Sequence, residues 1–369
     1  MTEDKKPTKT GQLDLDYRRG AVPEWVKEVI ETHLAIEAED AKSAGALGFM
    51  ARALVTATMP YKDPKADVFK RVNGDFSLRI VAGYEGGIPY GIYPRLLMSW
   101  VTTEAVRTRS PVIELGDSLS MFLRDVLDIQ RGGGKRGSST RVAEQMKRLF
   151  GSLITAQYTG GNQGRGFQLR NVMIADGLDL DERDLKLDGQ AAEMRDGYEE
   201  YLDSLTQRET LGMQIEAQMR AEMAPAPAAD EQHTQLWIPQ EKDQAGAWKS
   251  SVTLSRAFYD ECINKPVPID LRAYKALRGS PLAMDVYTWL TYRMSYTYQR
   301  SRPIRWESLM AQFGSNYTTD RAVLDFKKAF LKALKLVLLI YPNANIELAE
   351  NGLILLPSQP HVAKQGLLF

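Results

Sequence analysis

Arg321, Asp325, Lys328, Lys332 and Lys335 recur at i, i+4, i+7, i+11 and i+14, a spacing that gathers side chains on one face of an α-helix at 100° per residue. Val323, Phe326, Phe330, Ala333, Leu334 and Val337 fall on the opposite face. Four cations and one acid along a rigid rod suit a polyanion. A guanidinium is a planar fork that can bridge the O6 and N7 acceptors of guanine, whereas an ammonium is a point charge matched to phosphate. Arg321 is therefore the candidate for reading a base, and Lys328, Lys332 and Lys335 for holding phosphates. A charged stripe alone is more often a solvated face, but the turn before this one carries Ser315, Asn316, Thr318 and Thr319. Small polar groups at such a turn meet phosphate oxygens when the helix behind them enters a major groove.

A second helix of the same plan begins at Arg141, where Arg141, Glu144, Gln145 and Arg148 oppose Ala143, Met146, Leu149, Phe150 and Leu153. Its entry, RGGGKRGSST, is more basic, with Arg131, Lys135, Arg136 and Ser139 set among glycines that let backbone approach a phosphate closely. Together with Arg141, Gln145 and Arg148 these form a surface that either reads bases or only clamps phosphates. The turn is not a nucleotide P-loop, since Lys135 is followed by Arg136 where that motif needs Ser or Thr. Tyr287, Trp289, Tyr292, Tyr296 and Tyr298 have the composition of a stacking platform for single strands; on an apolar helix they are expected in the core and at its rim.

Catalytic signatures are missing. There is no His-x-Glu with Cys-x-x-Cys, no Gly-x-Ser-x-Gly and no histidine pair beside a tyrosine. The single cysteine, Cys262, allows no intrachain disulfide, and His33, His233 and His361 are too dispersed for a local metal motif. The expectation is a protein without enzymatic activity, metal or cofactor.

The elements that must position these residues fall into two halves. A chain of 369 residues is long enough for about two domains. No stretch approaches the roughly 18 apolar residues of a membrane span, and the N-terminal MTEDKKPTKTGQLDLDYRRG has no apolar h-region, so a cytoplasmic protein without membrane attachment is expected. Net charge is zero, yet it is segregated: from Asp176 to Glu231 sixteen acids face five bases, leaving +11 for the remainder. Within that acidic stretch MAPAPAAD can form neither helix nor central strand and reads as a joint. Such segregation raises the idea of an acidic connector that covers a basic face in the free protein.

The halves repeat one order. PRLLMSWVTTEAVRTRS, PVIELG, DSLSMFLRDVL, the basic turn and TRVAEQMKRLFGSLITAQY correspond to SPLAMDVYTWLTYRMSYTYQRS, RPIRW, ESLMAQFG, SNYTT and DRAVLDFKKAFLKALKLVLL. RVAEQMKRLF and RAVLDFKKAF share a register 180 residues apart, which points to internal duplication. Each third helix is followed by a hairpin signal, the second carrying Asn351 and Gly352 at its turn. Helix, strand, helix, turn, helix, hairpin is the winged-helix plan. The fold expected is α+β, mostly helical, with two tandem winged-helix domains joined by an acidic connector. The boundaries are a flexible arm at 1–20, a helical lead-in plus first winged-helix domain at 21–178, the connector at 179–244, the second winged-helix domain at 245–361 and a tail at 362–369.

Phrases such as ALVTATMPYKDPKADVFKRVNGDFSLRI, GIPYGIYPRLLMSWVTTEAVRTRSPVIELGDSLSMFLRD and SPLAMDVYTWLTYRMSY resemble the plasmid-encoded RepA family of replication initiators, over roughly residues 45–175 and 245–361. The resemblance implies a bacterial plasmid replication initiator that binds repeated sites, or iterons, in double-stranded DNA at its own origin. It implies a homodimer, formed through the first domain, in equilibrium with monomer, and a second domain that supplies the main base-reading helix. Host partners would be the replicative helicase, the host initiator and the sliding clamp. A transcriptional repressor with the same helices but no initiator role is the alternative.

The chain closes on KQGLLF. Bacterial sliding clamps accept extended peptides of the kind Gln-x-x-Leu-Phe, which Gln365, Leu368 and Phe369 match; a second partial match, QLDLDY, lies at Gln12 to Tyr17. The tail either docks on the clamp or packs on the second domain.

Overall fold

The computed structural model describes residues 29, 31–36, 39–56, 58–116, 137–158, 168–180, 250–264, 266–314 and 321–362. Helices predominate over strands. The first half contains β1 (Leu47–Met50), α1 (Arg52–Thr56), β2 (Val68–Asn73), β3 (Phe76–Val81), α2 (Ile92–Thr108), β4 (Val112–Gly116), α3 (Ser138–Phe150), β5 (Leu153–Tyr158), β6 (Gln168–Met173) and β7 (Ala175–Asp179). The second contains β8 (Ser250–Leu254), α4 (Arg256–Asn264), β9 (Val267–Asp270), α5 (Leu271–Ala276), α6 (Pro281–Met294), β10 (Ile304–Arg305), α7 (Trp306–Phe313), α8 (Ala322–Ile340), β11 (Ile346–Ala349) and β12 (Gly352–Leu355). DSLSMFLRDVL and the acidic stretch beyond Leu180 lie outside the described residues.

The chain divides into two compact units, Met1–Ile113 with Val142–Leu178 and Val252–Phe369, and Glu114–Arg141 with Asp179–Ser251. Both halves of the sequence contribute to the first unit, so the described parts of 21–178 and 245–361 do not separate there into two bodies. β1 pairs antiparallel with β9, Leu47 opposite Asp270 and Met50 opposite Val267. Arg95 on α2 reaches Asp285 on α6 through two hydrogen bonds, Nε to Oδ1 at 2.8 Å and Nη2 to Oδ2 at 2.7 Å. Its remaining N–H groups go to the carbonyls of Met59, Pro60 and Gly91, and the guanidinium lies 4.8 Å from the Tyr61 ring centre. Arg95 is 1 % exposed. A buried charge is tolerated only with this complete set of partners.

In the first half, the hairpin β2–β3 and the pair β5–β6 make one four-stranded antiparallel sheet in the order β2-β3-β5-β6. Gly74, at φ 58, takes the first of the two turn positions between Asn73 and Phe76, where a tight hairpin turn demands positive φ.

In the second half, α6 starts at a Ser280 cap, whose side chain accepts the Ala283 N–H, with Pro281 at the first helical position. Its Trp289 meets Phe313 of α7 and Phe330 of α8 edge-on at 5.6 and 6.5 Å, and Phe330 also contacts Trp306 and Phe326. This aromatic cluster fixes α6, α7 and α8 together. After α8, β11 and β12 form the hairpin signalled by Asn351 and Gly352, and β10 pairs with β12 to give the order β10-β12-β11. A Cβ at Gly352 would sit on the Ile304 carbonyl, so the close approach of β10 requires glycine there.

The chain beyond β12 returns to the core. Asp270 N–H donates to the Tyr287 hydroxyl at 3.0 Å, and that hydroxyl lies 2.7 Å from His361 Nδ1. A hydrogen bond joins that hydroxyl to the ring nitrogen and ties the segment after β12 to α6. Burial holds the His361 imidazole down, at a pKa of about 4.

Candidate nucleic-acid interface

α8 is free of glycine and proline, rich in Ala, Leu and Lys, and about 28 Å long at 1.5 Å per residue. Phe326, Phe330, Ala333, Leu334, Val337 and Ile340 are buried beneath it, which settles the rotation of the rod. Arg321, Asp325, Lys328, Lys332 and Lys335 are all exposed on the outward side, as their spacing requires. None of these five forms an ion pair among the described residues. Lys327, one position off the stripe, lies with its ammonium 5.0 Å from the Trp306 ring centre, and so is held against the core edge rather than presented outward. Leu324 shares the exposed N-terminal end, at 59 % exposure. Ser315, Asn316, Thr318 and Thr319 lie outside the described residues, as do Gln365, Leu368 and Phe369 of the tail.

The first-half constellation is brought together differently. Arg131, Lys135 and Arg136 lie outside the described residues. Ser139 and Gln145 are buried, at 1 % and 4 % exposure, and Gln145 Oε1 accepts the Tyr90 N–H at 2.9 Å. The Arg148 guanidinium bonds to Glu144 at 3.0 Å, lies 3.5 Å from Asp63, and stacks 5.2 Å from the Tyr90 ring centre. Gln145 and Arg148 are therefore engaged by their own surroundings, and Ser139 is buried. The segment preceding α2 reaches Gln145 and Arg148 through Tyr90, which a helical wheel cannot reveal. Arg141 is exposed, its Nε 3.4 Å from the Gly137 carbonyl.

The aromatic run also divides. Tyr287 and Trp289 are core residues, at 0 and 3 % exposure, whereas Tyr296 and Tyr298 are exposed at 41 and 82 %. No group of three or more His, Cys, Asp or Glu placed to hold a metal occurs among the described residues. Burial pushes the Cys262 thiol up to a pKa of about 12, a value at which it is no nucleophile near neutrality. No helix among the described residues is long and apolar enough to cross a membrane.

A family model described as plasmid-encoded RepA protein matches residues 88–195 and 199–307, together more than half the chain. Among solved structures the chain is similar to the crystal structure of RctB domains 2–3, with 9 % identity and a TM-score of 0.38, over 82 % of this chain and 93 % of that one. It is similar as well to a selenomethionine derivative of domains 2 and 3 of RctB, with 11 % identity and a TM-score of 0.38, over 74 % and 80 %. No curated protein matches.

Proposed function

The chain belongs to the plasmid-encoded RepA protein family, and on that footing we propose that it is a plasmid replication initiator that binds repeated sites in duplex DNA at its origin and acts there without catalysis. The family match supports the initiator role. The observation that carries the DNA-binding reading is the exposed face of α8: four cations with one acid, none in an ion pair among the described residues, on a helix whose other face is locked into an aromatic core.

The surroundings of that face support a winged-helix reading of the second half. α6, β10, α7, α8 and the hairpin β11–β12 follow in that order, and β10 adds to the hairpin through β12. In such a unit α8 is the third helix and enters the major groove by its N-terminal end, while the hairpin forms the wing. Arg321, at the N-cap of α8, then reaches base edges, and Lys328, Lys332 and Lys335 follow the phosphates. The N-terminal end of the helix dipole favours the same polyanion. Arg141 adds a phosphate contact from the first half.

Recruitment of host helicase, initiator and clamp, and dimerisation in equilibrium with monomer, complete the reading. A repressor would use the same face; support of replication by an origin fragment in cells separates the two. The direct test is selection of binding sites from random duplex DNA at physiological salt, by the wild type and by Arg321→Ala. A defined motif for the wild type that blurs with the variant supports base reading by Arg321. No motif from either protein would leave α8 a solvated or phosphate-binding face.

A further inference from the structure

The loop that leaves α6 is held at both ends. On the near side the Ser295 Oγ donates to the Tyr292 carbonyl at 2.7 Å, and Thr297 Oγ1 donates to the Arg293 carbonyl at 2.8 Å. On the far side Ser301 is joined twice to β12: its N–H donates to the Leu355 carbonyl, and its Oγ accepts the Leu355 N–H, both at 2.9 Å. Only Tyr298, Gln299 and Arg300 lie between these anchors. Tyr298 is 82 % exposed, more than any other large apolar residue described. A ring kept in water by a fixed loop is available without the ordering cost a mobile loop would add.

Tyr296 is 41 % exposed, stands edge-on to Tyr292 at 5.1 Å, and has the Arg293 guanidinium 5.5 Å from its ring centre. Tyr292 and Tyr296 line an open groove of about 500 Å³ that also meets Arg109, Asn264 and Pro360, a volume suited to a nucleobase with its sugar. Between Arg293 and Glu307 the chain has four arginines, counting Arg293, and no acid. Arg300 is bonded to Glu347 at 2.8 Å. Arg109, Arg302 and Arg305 are exposed and form no ion pair among the described residues.

We propose that Tyr298 and Tyr296, with Arg109, Arg302 and Arg305, form a binding site for single-stranded nucleic acid, apart from the duplex-reading face of α8. The chemistry favours single strands because a duplex hides its base faces in the stack, whereas an unpaired base offers a π-face to any exposed ring. Tyr298 takes one base, the groove beside Tyr296 takes a neighbouring nucleotide, and the arginines meet the backbone between them. An initiator so equipped would hold one strand of an opened origin as well as recognise the closed one.

The test uses the full-length protein in fluorescence-anisotropy titrations with a labelled oligothymidylate and, separately, with the duplex motif selected by the wild type or, failing a motif, any mixed-sequence duplex. Tyr298→Ala should weaken single-strand binding by about tenfold, the loss of one stacked base, while Tyr298→Phe keeps it and duplex binding is unchanged. Arg321→Ala should show the converse, so failure of the α8 reading and failure of this one give different patterns. The proposal is overturned if the wild type does not bind the oligothymidylate, if Tyr298→Ala binds it as tightly as the wild type, if Tyr298→Phe loses as much as Tyr298→Ala, or if single-strand and duplex affinity fall by the same factor.

Discussion

Replacing Lys328, Lys332 and Lys335 together by alanine tests the α8 face through a quantity that is nearly independent of base sequence. The three ammoniums are exposed on one side of one helix, and seven residues at 1.5 Å each put about 10 Å between the first and last. Along B-DNA each neutralised phosphate contributes about −0.9 to the slope of log K against log salt. A variant that leaves three phosphates unneutralised should therefore flatten the slope by about 2.7. The helix itself should tolerate the change, because alanine has the highest helix propensity and none of the three side chains packs in the core. The assay is anisotropy of a labelled duplex titrated with each protein across about 50 to 200 mM salt, with circular dichroism to check helix content. The selected motif should be unaltered, since bonds to phosphate carry no sequence information. An unchanged slope in a folded triple variant would refute the placement of these lysines on phosphate, and a slope change of about one would leave a single lysine on the backbone.

Asp285→Ala should lower the unfolding free energy by about 3–5 kcal/mol, because it strands the buried Arg95 charge; urea denaturation measures it, and a loss below about 1 kcal/mol would mean that water replaces the carboxylate at no cost. His361 has a folded pKa of about 4, depressed from 6.5 by burial, so the unfolded chain binds a proton that the folded chain refuses. Its contribution is present above pH 6.5 and is lost as pH falls towards 4, by about 3 kcal/mol at 1.36 kcal/mol per pH unit. His361→Gln should therefore flatten the stability profile between those values, and a profile as steep as that of the wild type would assign the acid lability to other groups. Deletion of residues 366–369 should abolish binding to the bacterial sliding clamp with DNA affinity intact, read by pull-down and anisotropy; a drop in thermal stability instead would place the tail against its own domain.

The legible parts of the fold are those set by local periodicity. α8 could be oriented from sequence because Phe326, Phe330, Leu334 and Val337 recur on one face, and burial of that face forces the basic one outward. The β11–β12 hairpin followed from Asn351 and Gly352 between apolar runs. Asn73 and Gly74 carry the same signal at β2–β3, which the element order built on helices passed over. Gln145 and Arg148 sit correctly on the polar side of α3, yet the Tyr90 segment reaches both, and no wheel contains a segment fifty-five residues upstream. The aromatic run misled for the converse reason: Tyr287 and Trp289 are inside α6, but Tyr296 and Tyr298 lie beyond its end, where the helical period no longer governs exposure. Arg95 was invisible as a core residue because its partner is 190 positions away.

That separation bears on how the protein is made. Ribosomes add about 5–20 residues per second, so Arg95 waits roughly 10 to 40 s for Asp285 to be synthesised. β1 waits a similar time for β9. Until then the guanidinium must remain hydrated, and α2 cannot settle against the carbonyls of Met59 and Pro60 without an uncompensated charge. The Arg95 site therefore closes only when α6 has been made, whereas the sheet β2-β3-β5-β6 needs no residue beyond Met173, a schedule in which a helix of the first half is seated by one synthesised 190 residues later.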